Sequence, residues 1–482
     1  EAKKSFEKVI KLDARDSSGW IGIGIVYAYQ ENYEEAKNCF KKALELDEKN
    51  AKAWHSLGVA QQNLEEYDNA IESYKKTIEL DKENVGAWIG LGETYSYLKK
   101  HKEDAKECFE KAIELDKEDA NVWIGFGLFY GNSGEHEEAK KCFEKATKLD
   151  EDNTLAWRNL GASYSNLKNY EEAKKCFDMG TELEPKNPDG WLSLGYTYLR
   201  MDRPVEARKS FMISTVLDPK SVDAWLGAGR AQLKLERYNE AVESFKKLTE
   251  LNEKNVNAWI GLGISHTASR EPKEAKECFV KAIKLDEKNV DAWRNLGFAQ
   301  RNLEEYDDAI ESYKKATELD EKNAAAWESL GVSYVKLKKY EEAIKSFERS
   351  IMLDPKNERA ITTLIELLII KGNYGGAFEK ARTTLDLFKS GKYRFLSLFF
   401  VAVSTALQNK HGEFMEWMNK LLRYLQKAEK PWGISWDFTD ISPTLEQHLK
   451  KEDMTLISLL IEVLKEEKDL VELEKELKIK KR

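Results

Sequence analysis

A tryptophan recurs at a nearly constant interval along most of this chain, and this interval restricts the possible folds more strongly than any other feature. Neighbouring tryptophans lie 34 residues apart, except that 35 residues separate Trp88 from Trp123. A fixed period of this length is typical of solenoids, in which small units stack and bury a continuous core. The sequence therefore predicts a repeat array. The recurring tryptophans are Trp20, Trp54, Trp88, Trp123, Trp157, Trp191, Trp225, Trp259, Trp293 and Trp327.

Each repeat carries the pattern of two helices joined by a short turn. In the repeat 51–84, Trp54 and Gly58 share a face of the first segment, and Ala70 and Tyr74 share a face of the second. The glycine recurs in every repeat, although glycine inside a helix costs about 1 kcal/mol relative to alanine. We infer that glycine lets two helices approach while the tryptophan and an aromatic ring fill the space beside it. Truncating one tryptophan is expected to cost roughly 3–5 kcal/mol.

These positions resemble the tetratricopeptide repeat, a helix-turn-helix unit of 34 residues. The match extends from Ser17 to Asn357 and is specific because it is repeated ten times. The family's proline is the main departure, since only Pro185, Pro219 and Pro355 match it and the other repeats carry Glu or Lys, which predicts a weaker stop to the second helix. The resemblance implies an all-α fold, a right-handed superhelical solenoid of helix-turn-helix repeats with a helical C-terminal cap.

The pattern divides the chain into four segments. Residues 1–16 resemble the second helix of a truncated repeat, and we expect further residues upstream because the chain starts without methionine. Residues 17–357 hold ten repeats, among which 51–84 and 290–323 are near copies that share NLEEYD and AIESYKK. Residues 358–391 keep the spacing but lose the tryptophan and glycine, so we interpret them as a degenerate eleventh repeat that caps the array.

The C-terminal segment, residues 392–482, allows two interpretations. Its pattern predicts helices over 394–408, 413–428 and 444–482, with a loop at 430–443. The segment is either a hydrophobic cap for the solenoid or a docking module, with the aromatic loop as its contact surface. The loop aromatics are Trp432, Trp436 and Phe438.

Composition and charge restrict the partners. The formal net charge of −9 argues against nucleic acid, whose binding needs a basic surface, and against an anionic membrane. The longest apolar run, Phe395–Leu407, is shorter than the roughly 20 residues of a spanning helix. The five cysteines do not form a disulfide framework, and reduced thiols indicate a cytoplasmic setting.

No residue pattern predicts catalysis. Paired glycines such as Gly90 and Gly92 lie inside a helix, whereas a dinucleotide fingerprint needs a preceding strand and a third glycine. Each cysteine lies at the same position of its repeat, and the other repeats carry serine there, which indicates a small packing site rather than a metal ligand. The histidines are scattered without metal-ligand spacing. We therefore expect no catalytic residues, no cofactor and no metal, and predict that the protein is not an enzyme.

The candidate binding site comes from the resemblance. In tetratricopeptide arrays the first helices line a concave surface where ligands usually bind. The lining positions are mainly apolar in the first four repeats, and arginine and lysine join them in later repeats. The candidate peptide-binding residues are Ile89, Ile124, Leu128, Arg158, Asn159, Tyr196, Arg200, Arg230, Lys234, Ile264, Arg294, Asn295, Phe298 and Arg301.

This lining predicts a non-catalytic protein–protein interaction scaffold that holds a peptide or protein segment with acidic and apolar residues, since arginine suits carboxylates or phosphates. Alternatively, these cations pair with local carboxylates such as Asp189 and Asp291. An alternative function is a targeting or regulatory subunit of an enzyme complex, docking through the C-terminal helices. The partner's identity and the oligomeric state stay open.

One specialised mode of the family is not expected here. Its chaperone-binding members hold a carboxy-terminal carboxylate with Lys one residue after the tryptophan and Asn five residues after it. The corresponding residues are Arg158 with Ala162 and Arg294 with Phe298. The sequence therefore does not predict this carboxylate clamp.

Overall fold

The computed structural model describes residues 6, 8–10, 15–98, 101–388, 391–427, 441–464 and 470–479. Within these residues every regular element is an α-helix, and no strand is present. The all-α prediction is thereby confirmed. Most of the loop predicted at 430–443 and most of segment 1–16 lie outside the described residues, and the end of that predicted loop is the start of a helix at Ser442.

The chain forms two compact units, Glu1–Arg237 and Tyr238–Arg482. Odd-numbered helices up to α21 are the first helices of the repeats, and even-numbered helices up to α22 are the second. The first unit contains α1 (Ser17–Tyr29), α2 (Tyr33–Leu46), α3 (Ala51–Asn63), α4 (Tyr67–Leu80), α5 (Val85–Tyr97), α6 (Lys102–Leu115), α7 (Ala120–Asn132), α8 (His136–Leu149), α9 (Thr154–Asn166), α10 (Tyr170–Leu183), α11 (Pro188–Arg200), α12 (Pro204–Leu217) and α13 (Val222–Lys234). The second unit contains α14 (Tyr238–Leu251), α15 (Val256–Ala268), α16 (Pro272–Leu285), α17 (Val290–Asn302), α18 (Tyr306–Leu319), α19 (Ala324–Lys336), α20 (Tyr340–Leu353), α21 (Glu358–Ile370), α22 (Tyr374–Leu387), α23 (Gly391–Leu407), α24 (His411–Lys427), α25 (Ser442–His448), α26 (Lys451–Leu464) and α27 (Leu470–Ile479).

Polar side chains start the first helices. The Asn50 side chain accepts a hydrogen bond from the backbone N–H of Ala53 at 3.1 Å, and Asn289 does the same for Ala292 at 3.0 Å. Such a cap satisfies one of the free N–H groups at a helix start and contributes about 1 kcal/mol. The entry of the chain into each first helix is therefore set locally.

The end of the second helix does not depend on the family's proline. Helix α4 lacks that proline and ends at Leu80, the position equivalent to Leu183, where α10 ends before Pro185. In both cases the tryptophan of the following repeat donates its indole N–H to the backbone carbonyl at the proline position, from Trp88 to Lys82 at 3.2 Å and from Trp191 to Pro185 at 2.9 Å. Any residue at that position supplies the carbonyl that accepts this hydrogen bond. The predicted weaker helix stop is therefore not observed.

The core of each repeat is an aromatic ring on the second helix rather than the tryptophan. Tyr74 is 1% exposed and Phe211 is fully buried, whereas the recurring indoles are half-buried. A Cβ atom added to Gly58 would lie 2.9 Å from the Tyr74 ring, and one added to Gly90 of the next repeat would lie 2.5 Å from it. The glycines therefore make room for the ring on both sides. The expected burial of the tryptophans is wrong in degree, and the larger truncation cost belongs to these rings.

The second unit ends in a larger apolar core. Ile365 of α21 and Phe399 of α23 are fully buried, and Leu460 of α26 joins the same cluster. Helices α23 and α24 agree with the predictions for 394–408 and 413–428. The predicted helix over 444–482 is instead broken into α25, α26 and α27 within its described part.

Candidate functional site

The first helices form one face within each unit. Most of them contact the first helix of the next repeat in the same unit, as between α3 and α5 in the first unit and between α17 and α19 in the second, while contacts between successive second helices are sparser. The first helices therefore lie closer together than the second helices do. This arrangement places the predicted site residues of neighbouring repeats side by side, and we call the face of the first helices the inner face.

The apolar residues of the first unit divide into accessible and buried ones. Ile89 and Leu128 are half-buried on the inner face, whereas Ile124 is 5% exposed and belongs to the core between repeats. Ile124 therefore offers little surface to a partner. Tyr97 is 58% exposed, and its ring stacks on Tyr67 at 5.4 Å. An aromatic platform thus stands beside the predicted apolar positions.

A polar network crosses this part of the inner face. The Tyr74 hydroxyl donates to Gln62 Oε1 at 2.8 Å, and the amide of Gln62 donates to Glu93 Oε2 at 3.2 Å. Desolvation raises the pKa of the Glu93 carboxyl, and the Gln62 hydrogen bond opposes that shift. His55 lies edge-on to Tyr74 at 5.9 Å, and burial lowers its pKa. These groups satisfy one another, so the network closes this part of the surface.

Further along the first unit, two predicted residues are already bonded. Arg158 Nη1 lies 3.4 Å from Asp189 Oδ2, and the Asn159 amide donates to the Leu155 carbonyl at 2.8 Å. The Arg158 side chain is 36% exposed. The alternative in which the cations pair with local carboxylates therefore holds for Arg158. An exposed ion pair of this kind is worth at most about 1 kcal/mol, so Arg158 can exchange Asp189 for an acidic partner.

The last cations of the first unit differ in their partners. Lys234 Nζ pairs with Asp202 at 2.8 Å. Arg200 and Arg230 are exposed, and neither pairs with a carboxylate among the residues that the structure describes. The Tyr196 hydroxyl donates to a backbone carbonyl of the next repeat at 3.3 Å. Arg200 and Arg230 are therefore the cations most available to an anionic partner in this unit.

In the second unit, four predicted residues meet at one pocket of about 200 Å³, which we call the Tyr313 pocket. The sequence predicted Ile264, Arg294, Asn295 and Phe298 but missed Thr267, Tyr313 and Ser329. A sequence signal for Tyr313 and Ser329 lies in comparing the near copies and the repeats that follow them, where Gln62 becomes Arg301 and Gly90 becomes Ser329. Its lining residues are Ile264, Thr267, Arg294, Asn295, Phe298, Tyr313 and Ser329.

The charges beside this pocket are held by neighbouring groups. Arg294 lies 3.3 Å from Asp291, a carboxylate that is 69% exposed. The guanidinium of Arg301 lies over the Phe298 ring, 4.8 Å from its centre, in a cation–π contact. Ile264 and Phe298 are each 37% exposed. The pocket therefore combines an apolar rim with two cationic groups.

The described residues show no arrangement for catalysis. No group of three or more metal-ligating side chains occurs within them. The five cysteines are buried and reduced, and desolvation raises the pKa of Cys108, Cys142 and Cys176 to about 12, so these thiols stay protonated and are poor nucleophiles. Among the described helices, none combines the length and the apolarity that crossing a bilayer requires.

Models of the tetratricopeptide repeat match more than half of the chain, and the chain belongs to this family. Its fold class, an all-α solenoid of helix-turn-helix repeats, is thereby confirmed. Tetratricopeptide proteins are generally non-catalytic and bind peptides or proteins, which supports a protein-interaction scaffold. The matched segments are 17–50, 51–84, 85–119, 120–153, 154–187, 222–255, 256–289, 290–323 and 324–357.

Comparison with solved structures finds other helical repeat proteins. YrrB, a TPR protein with an unusual peptide-binding site, is 26% identical over 38% of this chain and 95% of its own, with a TM-score of 0.36. The Cut9–Hcn1 hetero-tetramer of APC/C is 17% identical over 84% and 92%, with a TM-score of 0.43. Yeast Tom70 is 15% identical over 86% and 99%, with a TM-score of 0.39. Comparison with curated protein sequences gives no match.

Proposed function

We propose that this protein is a scaffold that holds an extended or helical segment of a partner on the inner face of its repeats. On the first unit a bound segment meets Ile89 and Leu128 with apolar residues and Arg200 and Arg230 with acidic residues. On the second unit a bound segment meets Arg294 with an acidic residue. We further propose that residues 17–357 are the binding array and that the helix pair α21–α22 caps it.

The observation that carries this proposal is the kind of side chain left accessible on the inner face. Tyr97, Ile264 and Phe298 expose apolar surface there, and Arg200 and Arg230 lie exposed without a carboxylate partner among the described residues. Although the protein as a whole is acidic, this mixture of apolar groups and arginines on one face suits a partner segment that is acidic and partly apolar. Aromatic and arginine side chains are also the residues that most often dominate binding energy at interfaces.

A selection of random 12-residue peptides against the whole chain tests the proposal directly. We expect the selected peptides to combine apolar and acidic residues, and we expect the triple variant Arg158→Glu, Arg230→Glu, Arg294→Glu to lose them. Reversing three charges on the inner face removes attraction and adds repulsion toward an acidic ligand. Affinity is measured by isothermal titration at moderate salt.

The matched control places the same change in charge on second helices. Lys111, Lys247 and Lys315 are about half exposed, and each pairs with a glutamate one helical turn away. The variant Lys111→Glu, Lys247→Glu, Lys315→Glu is expected to bind the peptides as the unmodified chain does. Equal affinity of both triple variants for the peptides contradicts binding on the inner face.

A second candidate function rests on a basic groove in the C-terminal helices. A cavity of about 570 Å³ is lined by four cations and a single carboxylate, Asp386. Lys420 lies 3.8 Å above the Trp417 ring, and both Lys420 and Arg423 are exposed. This groove suits a docking surface for an acidic partner, as expected of a targeting or regulatory subunit. Its cations are Arg394, Lys420, Arg423 and Lys427.

The test of docking uses surface substitutions rather than truncation. Removing residues 391–482 would uncover Ile365 and its neighbours, which pack against α23, so a truncated chain would confuse misfolding with lost binding. The variant Lys420→Glu, Arg423→Glu leaves that core intact. Partners are captured by crosslinking to the unmodified chain and then tested on both variants. A partner that is lost in Lys420→Glu, Arg423→Glu but retained by the inner-face triple variant favours docking through the C-terminal helices over binding on the inner face.

A further inference from the structure

The two near-copy repeats treat the same buried tyrosine differently. In the first copy the Tyr74 hydroxyl donates to Gln62 Oε1 at 2.8 Å. In the second copy Tyr313 is fully buried, yet its hydroxyl forms no hydrogen bond of ordinary geometry with any residue that the structure describes. Arg301 occupies the position of Gln62, and its guanidinium lies over Phe298 instead. The second copy therefore has a polar group facing a pocket where the first copy has a closed pair.

An unpartnered buried hydroxyl is uncommon because it costs about 1–3 kcal/mol. Ser329 lines the same pocket and lies near enough to lower the pKa of Tyr313, but no hydrogen bond of ordinary geometry joins the two hydroxyls. The pocket of about 200 Å³ has room for some six water molecules at about 30 Å³ each, or for one side chain. A ligand group that accepts a hydrogen bond from Tyr313 would remove the cost.

Donors dominate this pocket. Besides the Tyr313 and Ser329 hydroxyls, Arg294 contributes a guanidinium and Asn295 an amide, and none of the lining residues is a carboxylate. The charges of Arg301 and Arg294 both act on the Tyr313 hydroxyl, where they oppose the rise in its pKa that desolvation causes. Asp291 competes for Arg294, which it holds at 3.3 Å, but Asp291 is mostly exposed.

We propose that the Tyr313 pocket binds the carboxylate of one Asp or Glu side chain of the segment on the inner face. The carboxylate accepts from Tyr313 and Ser329 and takes Arg294 from Asp291, while Ile264 and Phe298 cover its methylene stem. This proposal rests on the proposed function and assigns one acidic residue of the partner to one place. It differs from the family's carboxylate clamp, since its central donor is a tyrosine on a second helix.

Methyl NMR of the whole chain tests the pocket without knowledge of the partner. The probes are the blocked amino acids N-acetyl-glutamate methylamide and its neutral counterpart N-acetyl-glutamine methylamide. The δ1 methyl of Ile264 reports on the pocket, and Ile25, the equivalent residue beside the first copy, is the internal reference. We expect saturable shifts at Ile264 and not at Ile25, with the glutamate probe at least ~10-fold tighter, because hydrogen bonds to charged groups are the stronger ones.

Matched tyrosine variants separate recognition from general effects on the fold. Tyr313→Phe is expected to weaken the glutamate probe by ~10-fold, whereas Tyr74→Phe leaves it unchanged because that hydroxyl is already bonded to Gln62. Arg301→Gln is the second variant. It restores the glutamine of the first copy beside Tyr313, and it should also weaken the glutamate probe.

Three results would overturn the proposal. These are an Ile264 methyl that does not move at the solubility limit of the glutamate probe, equal affinity for the two probes, and unchanged affinity in Tyr313→Phe. None of them affects peptide selection by the inner face as a whole. If the chain selects acidic peptides but fails the NMR test, the acidic residue of the partner binds somewhere other than the Tyr313 pocket. If the peptide selection yields no acidic and apolar peptides, the proposed function itself is contradicted.

Discussion

The near-copy repeats 51–84 and 290–323 show how a few changes alter a surface without altering its framework. Both copies keep the buried tyrosine. Both also keep a buried hydrogen bond beside it, in which Ser73 donates to Gln61 and Ser312 donates to Gln300, each at 2.6 Å. They differ at the inner face, where Gln62 in the first copy becomes Arg301 in the second. The hydrogen-bonded framework is thus retained while the exposed positions change.

The repeat that follows each copy takes part in the difference. Gly90 lies against the Tyr74 ring so closely that a Cβ atom there would be 2.5 Å from it, yet the equivalent position beside Tyr313 is Ser329, which has a Cβ. Glu93, which receives the Gln62 amide hydrogen bond, is replaced by Val332. Three linked positions therefore change together, and the comparison teaches that a pocket in a repeat array is not the property of one repeat, since three successive repeats line the Tyr313 pocket.

The largest effect is expected from removing the buried ring in either copy. Tyr74→Ala and Tyr313→Ala each delete a side chain that is at most 1% exposed, which costs about 3–5 kcal/mol. Tyr74→Ala should cost about 1 kcal/mol more because it also removes the hydrogen bond to Gln62, whose Oε1 then keeps only the longer contact from Thr94 at 3.3 Å. Hydrogen exchange of peptides from each repeat measures the local free energy of opening. Equal costs would mean that the Gln62 hydrogen bond contributes nothing.

Removing only the tyrosine hydroxyl is expected to change local stability in opposite directions in the two copies. Tyr74→Phe loses the hydrogen bond to Gln62 and should lower local stability by about 0.5–1.5 kcal/mol. Tyr313→Phe removes an unpartnered buried group, so stability should stay unchanged or rise by up to about 1 kcal/mol. The same exchange measurement applies. Destabilisation of similar size in both variants would show that Tyr313 has a partner that matters.

The tryptophans should show no difference between the copies. Trp54→Phe and Trp293→Phe each remove an indole N–H that donates to a backbone carbonyl, at 2.8 Å to Glu48 and 2.9 Å to Glu287. Each change should cost about 1 kcal/mol, since the rest of the half-buried ring is largely replaced. Exchange rates at the end of the preceding second helix report the loss. A clear inequality would place the difference between the copies in their framework as well as in the pocket.

The smallest effect is a pH dependence confined to the first copy. Desolvation raises the pKa of Glu93 above its unfolded value of about 4.3, so the folded state binds more protons there and local stability falls as pH rises through the folded pKa. Glu93→Gln should remove this fall. Val332, at the equivalent position, provides no such dependence in the second copy. Opening free energies of both repeats measured from pH 4 to pH 7 check the sign, and an opposite slope relative to Glu93→Gln would contradict it.

Much of the fold followed from residues that act locally. The tryptophan interval placed the helix pairs, and the glycine and alanine positions identified where helices meet. The importance assigned to the tryptophans was too high because periodicity does not report how deeply a side chain is buried. The missing proline in most repeats was also given too much weight. The acceptor of the indole hydrogen bond is a backbone carbonyl, which every residue has, so the identity of the side chain at that position does not report the bond.

The candidate site was only partly accessible to the same reasoning. Position in the repeat brought Arg294, Asn295 and Phe298 to the inner face, but it also selected Ile124, which is buried between repeats. Tyr313 holds the aromatic position that was expected only to fill the space beside the glycine, and its unbonded hydroxyl depends on where Arg301 lies. Whether a polar atom is satisfied is decided by distances of a few tenths of an ångström between residues of different repeats, which no single repeat specifies.

The amino-acid sequence by itself determined the repeat, its two-helix pattern and its family, because hydrophobic spacing and glycine positions are read within some 34 residues. Only the tertiary structure decided which inner-face cations are paired and that Tyr313 opens to a pocket while Tyr74 does not. The physical reason is that hydrogen bonds and ion pairs across repeats depend on packing between side chains far apart in the chain, which local patterns do not encode.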